Sequence, residues 1–392
     1  MLDTKTKPLS SLVFYPFLFL AFSMPFFSAL AYPLMEIYYE TALIVLAVLA
    51  FLTEVKHKFR LLPVKFDYFP VLMLLLAYVI STIYSINQLD SVKETFKFMS
   101  FAAVFFIASQ FQESQRKLLI KVAVWAGVII SVYSIYQYFW GYQHTLDYLK
   151  KINSDFLATS SYAKDILMQK RVIGTFPAPN ILGGYLIMIF FLGLQLLRDT
   201  RTQACPERSQ GGHKGTRKIL SLVLIAAALL LTKSLGAWLA LIAASIILFL
   251  LSYKTLKHKK LILTVSLTAI FLIMTFILVT RWERLINLNN PQNSITQRLN
   301  YWRTAIAAIQ DHPFLGAGPG NFQEVFLKYK IGLSTDTRYA HNIFLHTWAE
   351  TGILGFTALI YIITVFFCHL RSRIGGGLYL ARGHCILISQ PY

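Results

Sequence analysis

Charge is scarce in this chain. Only 14% of its 392 residues are charged, against about a quarter in a typical soluble domain, which excludes an ordinary water-facing globule. Cysteine is nearly absent too: Cys205, Cys368 and Cys385 have no paired spacing, so neither a disulfide framework nor a zinc site is indicated. No P-loop and no dinucleotide glycine fingerprint follows a strand pattern, so any energy must arrive already stored in the substrate. No cofactor is implied. Ionisable residues are almost missing from the centres of the apolar runs, and no internal repeat is visible. A glycan or lipid transporter, the reading from a different functional class, needs both features to line its pathway.

Hydrophobic residues, by contrast, make up 56% of the chain. Runs such as "TALIVLAVLAFL", "LILTVSLTAIFLIMTFILV" and "ALIYIITVFF" approach or exceed the ~20 residues a helix needs to cross hydrocarbon. The pattern predicts an all-α, polytopic transmembrane bundle of about ten spans. They lie at 11–32, 37–53, 67–87, 96–111, 118–140, 180–197, 218–232, 234–253, 261–280 and 343–370. The first is too long, and too weak in cleavage-site residues, for a signal peptide, and reads as a retained helix. The net charge of +19 does not require nucleic acid. With the amino terminus assigned to the cytoplasm, cytoplasmic segments hold 22 Lys and Arg, while short outer loops hold only Lys93 and Lys233. That asymmetry is the positive-inside bias. It orients a multi-pass membrane protein with its amino terminus in the cytoplasm.

Three regions follow: 1–170, amino-terminal helices with a first outer loop; 171–370, with a large outer loop at 281–341; and 371–392, an atypical cytoplasmic tail without a convincing span. The polar patch 198–218 reads as a tolerated cytoplasmic insertion. The large loop contains "NSITQRLNYWRTAIAAIQDHP". Ile295, Leu299, Trp302, Ile306 and Ile309 recur at spacings of 4, 3, 4 and 3, one face of an amphipathic helix. Ser294 and Gln297 make a capping box, and "FLGAGPGNF" ends the helix in a tight turn. A helix of this kind lies on the membrane surface or packs over the bundle.

Polar groups gather at the outer side: Arg171, Arg281, Arg284, Arg298, Arg303, Arg338, His341, His346 and Glu350. The arginine fork matches phosphate oxygens bidentately, so an anionic ligand delivered within the membrane, such as a lipid-linked pyrophosphate, fits them. Contact with lipid headgroups is the alternative, strongest for Arg281 and Arg284 at a span end. His341 opens the last span; burial there would hold it neutral and able to accept a proton, although a rim histidine is more often an interface residue. His346 and Glu350, at i and i+4, share a face, whereas His341 is offset by about 140°. A structural His346–Glu350 pair therefore fits better than a metal site. "RVIGTFPAPNILGGYL" (171–186) opens the sixth span, with Asn180 as cap.

Four stretches, "RVIGTFPAPNILGGYL", "TKSLGAWLAL", "SITQRLNYWRTAIAAIQDHPFLGAGPGNF" and "AHNIFLHTWAETGILGF", occur in the order seen in the O-antigen ligase / O-antigen polymerase family, which the chain resembles over about 165–365. The resemblance implies a membrane glycosyltransferase that moves a glycan from undecaprenyl pyrophosphate to a sugar hydroxyl, with inversion, at the periplasmic face. The acceptor is lipid A–core in a ligase and the growing repeat chain in a polymerase. By position, His341 matches the family's essential histidine, Arg171 the arginine before the sixth span, and Arg298 the loop arginine. Arg303, Arg338, Asn342 and Lys233 are candidate substrate contacts, and Glu350 or Glu324 is the fallback base. No metal is implied. Where the family often reads S-R-G-A this chain reads "SLGA", so Leu235 stands in place of an arginine that would help hold the diphosphate, and Lys233 or Arg303 is the substitute.

Overall fold

The computed structural model describes residues 9–27, 33–56, 68–152, 166–202, 211–252, 275, 293–330 and 336–374. Among these residues it is helical throughout, with turns and no strand. The helices are α1 (Ser11–Ser23), α2 (Pro33–Lys56), α3 (Phe69–Ile83), α4 (Gln88–Ser109), α5 (Glu113–Tyr136), α6 (Tyr142–Ile152), α7 (Pro179–Thr202), α8 (Gly211–Leu231), α9 (Leu235–Ser252), α10 (Ser294–Asp311), α11 (Phe322–Tyr329) and α12 (Ile343–Ile374). A helix stands at each expected span except 261–280, which apart from residue 275 lies outside the described residues, as do Arg281, Arg284 and the tail from 375. Among the described residues, four segments are long and apolar enough to cross a membrane: Leu34–Thr53, Glu113–Leu149, Pro179–Leu197 and Ile343–Leu370. Shorter apolar helices cover Ser11–Phe26, Phe69–Ile83 and Leu235–Phe249. This is a helical membrane protein.

The chain forms two compact units, Met1–Lys58 with Phe106–Ala244, and Phe59–Phe105 with Ser245–Tyr392. In the first, α5 packs against α1, α7 and α8, and Ile130, Leu182, Leu186, Ile225 and Ala228 are fully buried between them. The start of the first outer loop is helical: a π turn, Gln137–Gly141, carries α5 into α6. That turn swings the Gln137 carboxamide oxygen round to accept from the Ile173 and Gly174 amides (3.0 and 2.9 Å). Asn180 does not cap α7. Pro179 occupies the first helical position, where its missing N–H costs nothing, and the Asn180 side-chain oxygen instead accepts from the Ser234 hydroxyl at 2.7 Å.

In the second unit α3 lies along α12, and α10 packs on α11 and α12. Two expectations for α10 change. Its cap is Asn293, whose side chain accepts from the Ile295 amide at 3.0 Å, so the helix begins one residue earlier than a Ser294 capping box requires. Its buried face is centred on Tyr301, Thr304, Ala305 and Ala308, flanked by Trp302 and Ile309 of the expected stripe; Leu299 and Ile306 are 41% and 47% exposed. Alanines let α10 approach Phe322, Val325 and Phe326 of α11 closely; Trp302 and Ile309 of the stripe pack against the same cluster, while Leu299 and Ile306 are left outside it.

Candidate active site

The last span is not one continuous helix. At Gly352 the backbone takes φ 66°, ψ −166°, a conformation essentially confined to glycine, and the α-helical ladder breaks there. Orphaned main-chain groups must find partners, and the turn after α10 supplies them. The Ala317 and Gly318 amides donate to the Ala349 and Glu350 carbonyls (2.8 and 2.9 Å), and the Ile353 amide donates to the Pro313 carbonyl (3.0 Å). The fit leaves no room for a side chain: a Cβ on Gly316 would overlap the Glu350 main chain, and one on Gly352 the Phe314 carbonyl.

Side chains lock the same junction. The Ser81 hydroxyl of α3 reaches the Leu315 and Glu350 carbonyl oxygens (2.6 and 2.7 Å). Ser91 donates to the Pro319 carbonyl at 2.8 Å and accepts from Asn321 at 3.1 Å. The Glu350 side chain, 4% exposed, accepts from the Phe322 amide at 3.1 Å. Its other oxygen lies 3.5 Å from His346 Nε2, the i, i+4 pair expected from the spacing. The Glu350 carboxyl group thus ties the start of α11 to the broken helix. Beside it, His346 packs edge-on to Phe322 and against Tyr339.

His341 stands at the mouth of this assembly, two residues before α12. It is one of three non-glycine residues at positive φ among those described, at 53°, and strain of this kind collects at functional sites. Its ring lies 5.6 Å from the Tyr301 ring on α10. Partial burial pushes its pKa below the ordinary 6.5, and the Arg298 and His346 charges push the same way. The imidazole is therefore neutral near neutral pH, the state in which it accepts a proton.

The other sequence candidates divide between the units. Arg298 is close enough to His341 to act on it electrostatically. Arg303 is exposed and, two residues from Tyr301, lies on roughly the opposite face of α10. Arg338 donates to Gln323 at 3.1 Å. Asn342 caps α12, its side-chain oxygen accepting from the Phe344 and Leu345 amides (3.0 and 3.3 Å). Glu324 lines an open cleft of about 590 Å³ with Ser85, Ile86, Asn87 and Gln88. Arg171 and Lys233 belong to the first unit. There the Tyr142 hydroxyl donates to the Arg171 carbonyl, and the Lys233 ammonium donates to the Gln169 carbonyl at 2.6 Å. Tyr301, Ser81 and Asn321 were not singled out from the sequence; only the glycines of "GAGPG" hinted that a backbone would pass close by.

Residues 220–360 match the family model described as O-antigen ligase, and this stretch carries that family's domain. An uncharacterized protein of Haemophilus influenzae is 32% identical over 147 residues, 33% of this chain. The chain spans about a third (36%) of the length of that relative.

Proposed function

We propose that the protein is an inverting membrane glycosyltransferase that moves a glycan from undecaprenyl pyrophosphate to an acceptor sugar hydroxyl at the periplasmic face, as in O-antigen ligation to lipid A–core. The observation that carries this reading is His341: strained, kept neutral by its surroundings and coupled to Arg298, inside the segment that matches the ligase family. His341 takes the proton of the acceptor hydroxyl as its oxygen attacks the anomeric carbon. The bond from that carbon to the phosphate oxygen breaks on the opposite face, and the pyrophosphate leaves with the electron pair. Arg298 stabilises charge growing on the leaving group. The polar cleft of Ser85, Asn87, Gln88 and Glu324 suits the hydroxyls of a neutral sugar. Polymerisation of the same donor onto a growing chain differs only in acceptor.

The periplasmic assignment has support within each unit. Segments that the charge count puts on the outer side bond to one another: Thr175 to the Pro25 carbonyl (2.6 Å), Val172 to the Leu231 carbonyl, and Ile86 to the Ala317 carbonyl. Segments assigned to the inner side do likewise: Gln115 with the Leu9 carbonyl and Lys218 with the Leu196 carbonyl. The reading is tested in membranes supplied with lipid-linked donor and core acceptor. His341→Ala is expected to abolish transfer at normal protein level, and Glu350→Gln, which keeps an acceptor for the Phe322 amide, to retain it. Wild-type transfer by His341→Ala removes the proposed base; loss confined to Glu350→Gln moves the role to that carboxylate.

A further inference from the structure

A neutral base becomes a cation when it takes its proton, and the surroundings of His341 do little to welcome that charge. Burial disfavours the imidazolium, and after it so do Arg298 of α10 and His346 of α12. Among the described residues no carboxylate acts on it in the other direction. Glu350 is engaged with His346 and the Phe322 amide. Lys330, over the Phe326 ring of α11, is paired with Asp336 at 2.8 Å, and Arg338 donates to Gln323. Nor, among the described residues, does a hydrogen bond orient the ring, the usual device for fixing the imidazole of a working histidine.

What the imidazole does have is Tyr301. The two ring centres are 5.6 Å apart and the planes only 31° from parallel, an offset stack and not an edge-on contact. A cation within about 6 Å of an aromatic centre is attracted by the negative face of the ring. Tyr301 is itself held firmly. It is buried, packs edge-to-face on Phe326 (5.5 Å, 74°), and shares its side of α10 with Ala305 and Ala308. Its hydroxyl lies 3.4 Å from the Gln297 side-chain oxygen, one turn earlier. Burial alone asks for an apolar side chain at this position. A stacked ring does more, because it also sets the plane of the imidazole and offers electron density to it.

We propose that Tyr301 is a positioning residue for His341, its ring aligning the imidazole and its π face receiving the positive charge as the acceptor proton arrives. In that step the acceptor O–H bond breaks, its electron pair goes to the anomeric carbon, and the proton joins a ring nitrogen of His341. Arg298 then serves the leaving group without denying the base its proton. The inference rests on the transferase reading for the source of the proton, but the ring contact is measurable without turnover.

The full chain, carrying isotope-labelled histidine in phosphatidylcholine discs, is titrated with acid and followed by NMR. The signal missing from His341→Asn identifies His341. Position 301 is changed to Phe, to Leu, and to phenylalanines bearing one, two or three ring fluorines, which keep the shape of the ring and drain its face of electron density. Tyr301→Phe should titrate close to wild type, and each added fluorine should lower the His341 pKa a further step. Tyr301→Leu should lower it by about half a pH unit or more. The acid limb of kcat/KM for glycan transfer should move to lower pH in the same order. If Tyr301→Leu fails to fold, the fluorinated series carries the test, since its rings pack alike. An identical pKa across that series overturns the proposal. So does a change in Tyr301→Phe as large as in Tyr301→Leu, which would give the role to the hydroxyl. A stepped series in a protein whose His341→Ala variant still transfers glycan would retain the ring contact and remove the base; a flat series with transfer abolished in His341→Ala would do the reverse.

Discussion

His341 bears two costs that a surface histidine avoids, a left-handed backbone and a neighbouring guanidinium. Strain at such a position amounts to about 1–3 kcal/mol. The guanidinium has a measurable signature. Burial, then the Arg298 and His346 charges, lower the His341 pKa from 6.5; the neutral form is the proposed base, so transfer is expected to be lost on the acid side, at a pH below that ordinary value. Arg298→Ala removes one of the charges opposing protonation. The His341 pKa then rises, and the acid limb of kcat/KM moves to higher pH, whatever happens to the maximal rate. Arg298→Lys keeps the charge and holds the limb near its wild-type position. An acid limb that stays put in Arg298→Ala would show that the two groups are not coupled.

At the scale of the element, the sequence marked where helices stand more fully than how they face or where they break. The 4-3-4-3 spacing in 295–309 found α10, because helical periodicity is a local property. Its packed side was not local: close contact with α11 favoured Ala305 and Ala308 over Leu299 and Ile306, and small residues mark such a contact only once the partner is known. Gly352 reads in the sequence as one more tolerated helix glycine. Its break depends on Pro313, Ala317 and Gly318, over thirty residues upstream, and on Ser81, which no periodicity connects to it. Gly352→Ala is expected to cost about 1–3 kcal/mol from backbone strain alone, with the overlap on the Phe314 carbonyl adding to it. Thermal unfolding of the purified variant should show a clearly lowered midpoint and reduced transfer. An unchanged midpoint would mean that the junction tolerates a side chain.

At the scale of the whole molecule, sparse charge and long apolar runs made the membrane class legible, because lipid imposes its requirements on composition directly. The same scale makes the site's chemistry intelligible. A span interrupted where it is buried in protein leaves backbone groups that an outer turn satisfies, and that turn fixes the residues leading into α12. His341 and Arg298 were found through resemblance and are electrostatically coupled in the fold. Tyr301, Ser81 and Asn321 could not be found so, since tertiary approach alone brings them to the junction. The account depends on this junction facing away from the cytoplasm. One cysteine at the exposed position Gln310 of α10, in a chain with Cys205, Cys368 and Cys385 replaced by serine, reports it. A maleimide that cannot cross the inner membrane should label that cysteine in intact cells whose outer membrane alone has been permeabilised. Labelling only after the inner membrane is broken would put the proposed base and its arginine on the side where no exported acceptor is found.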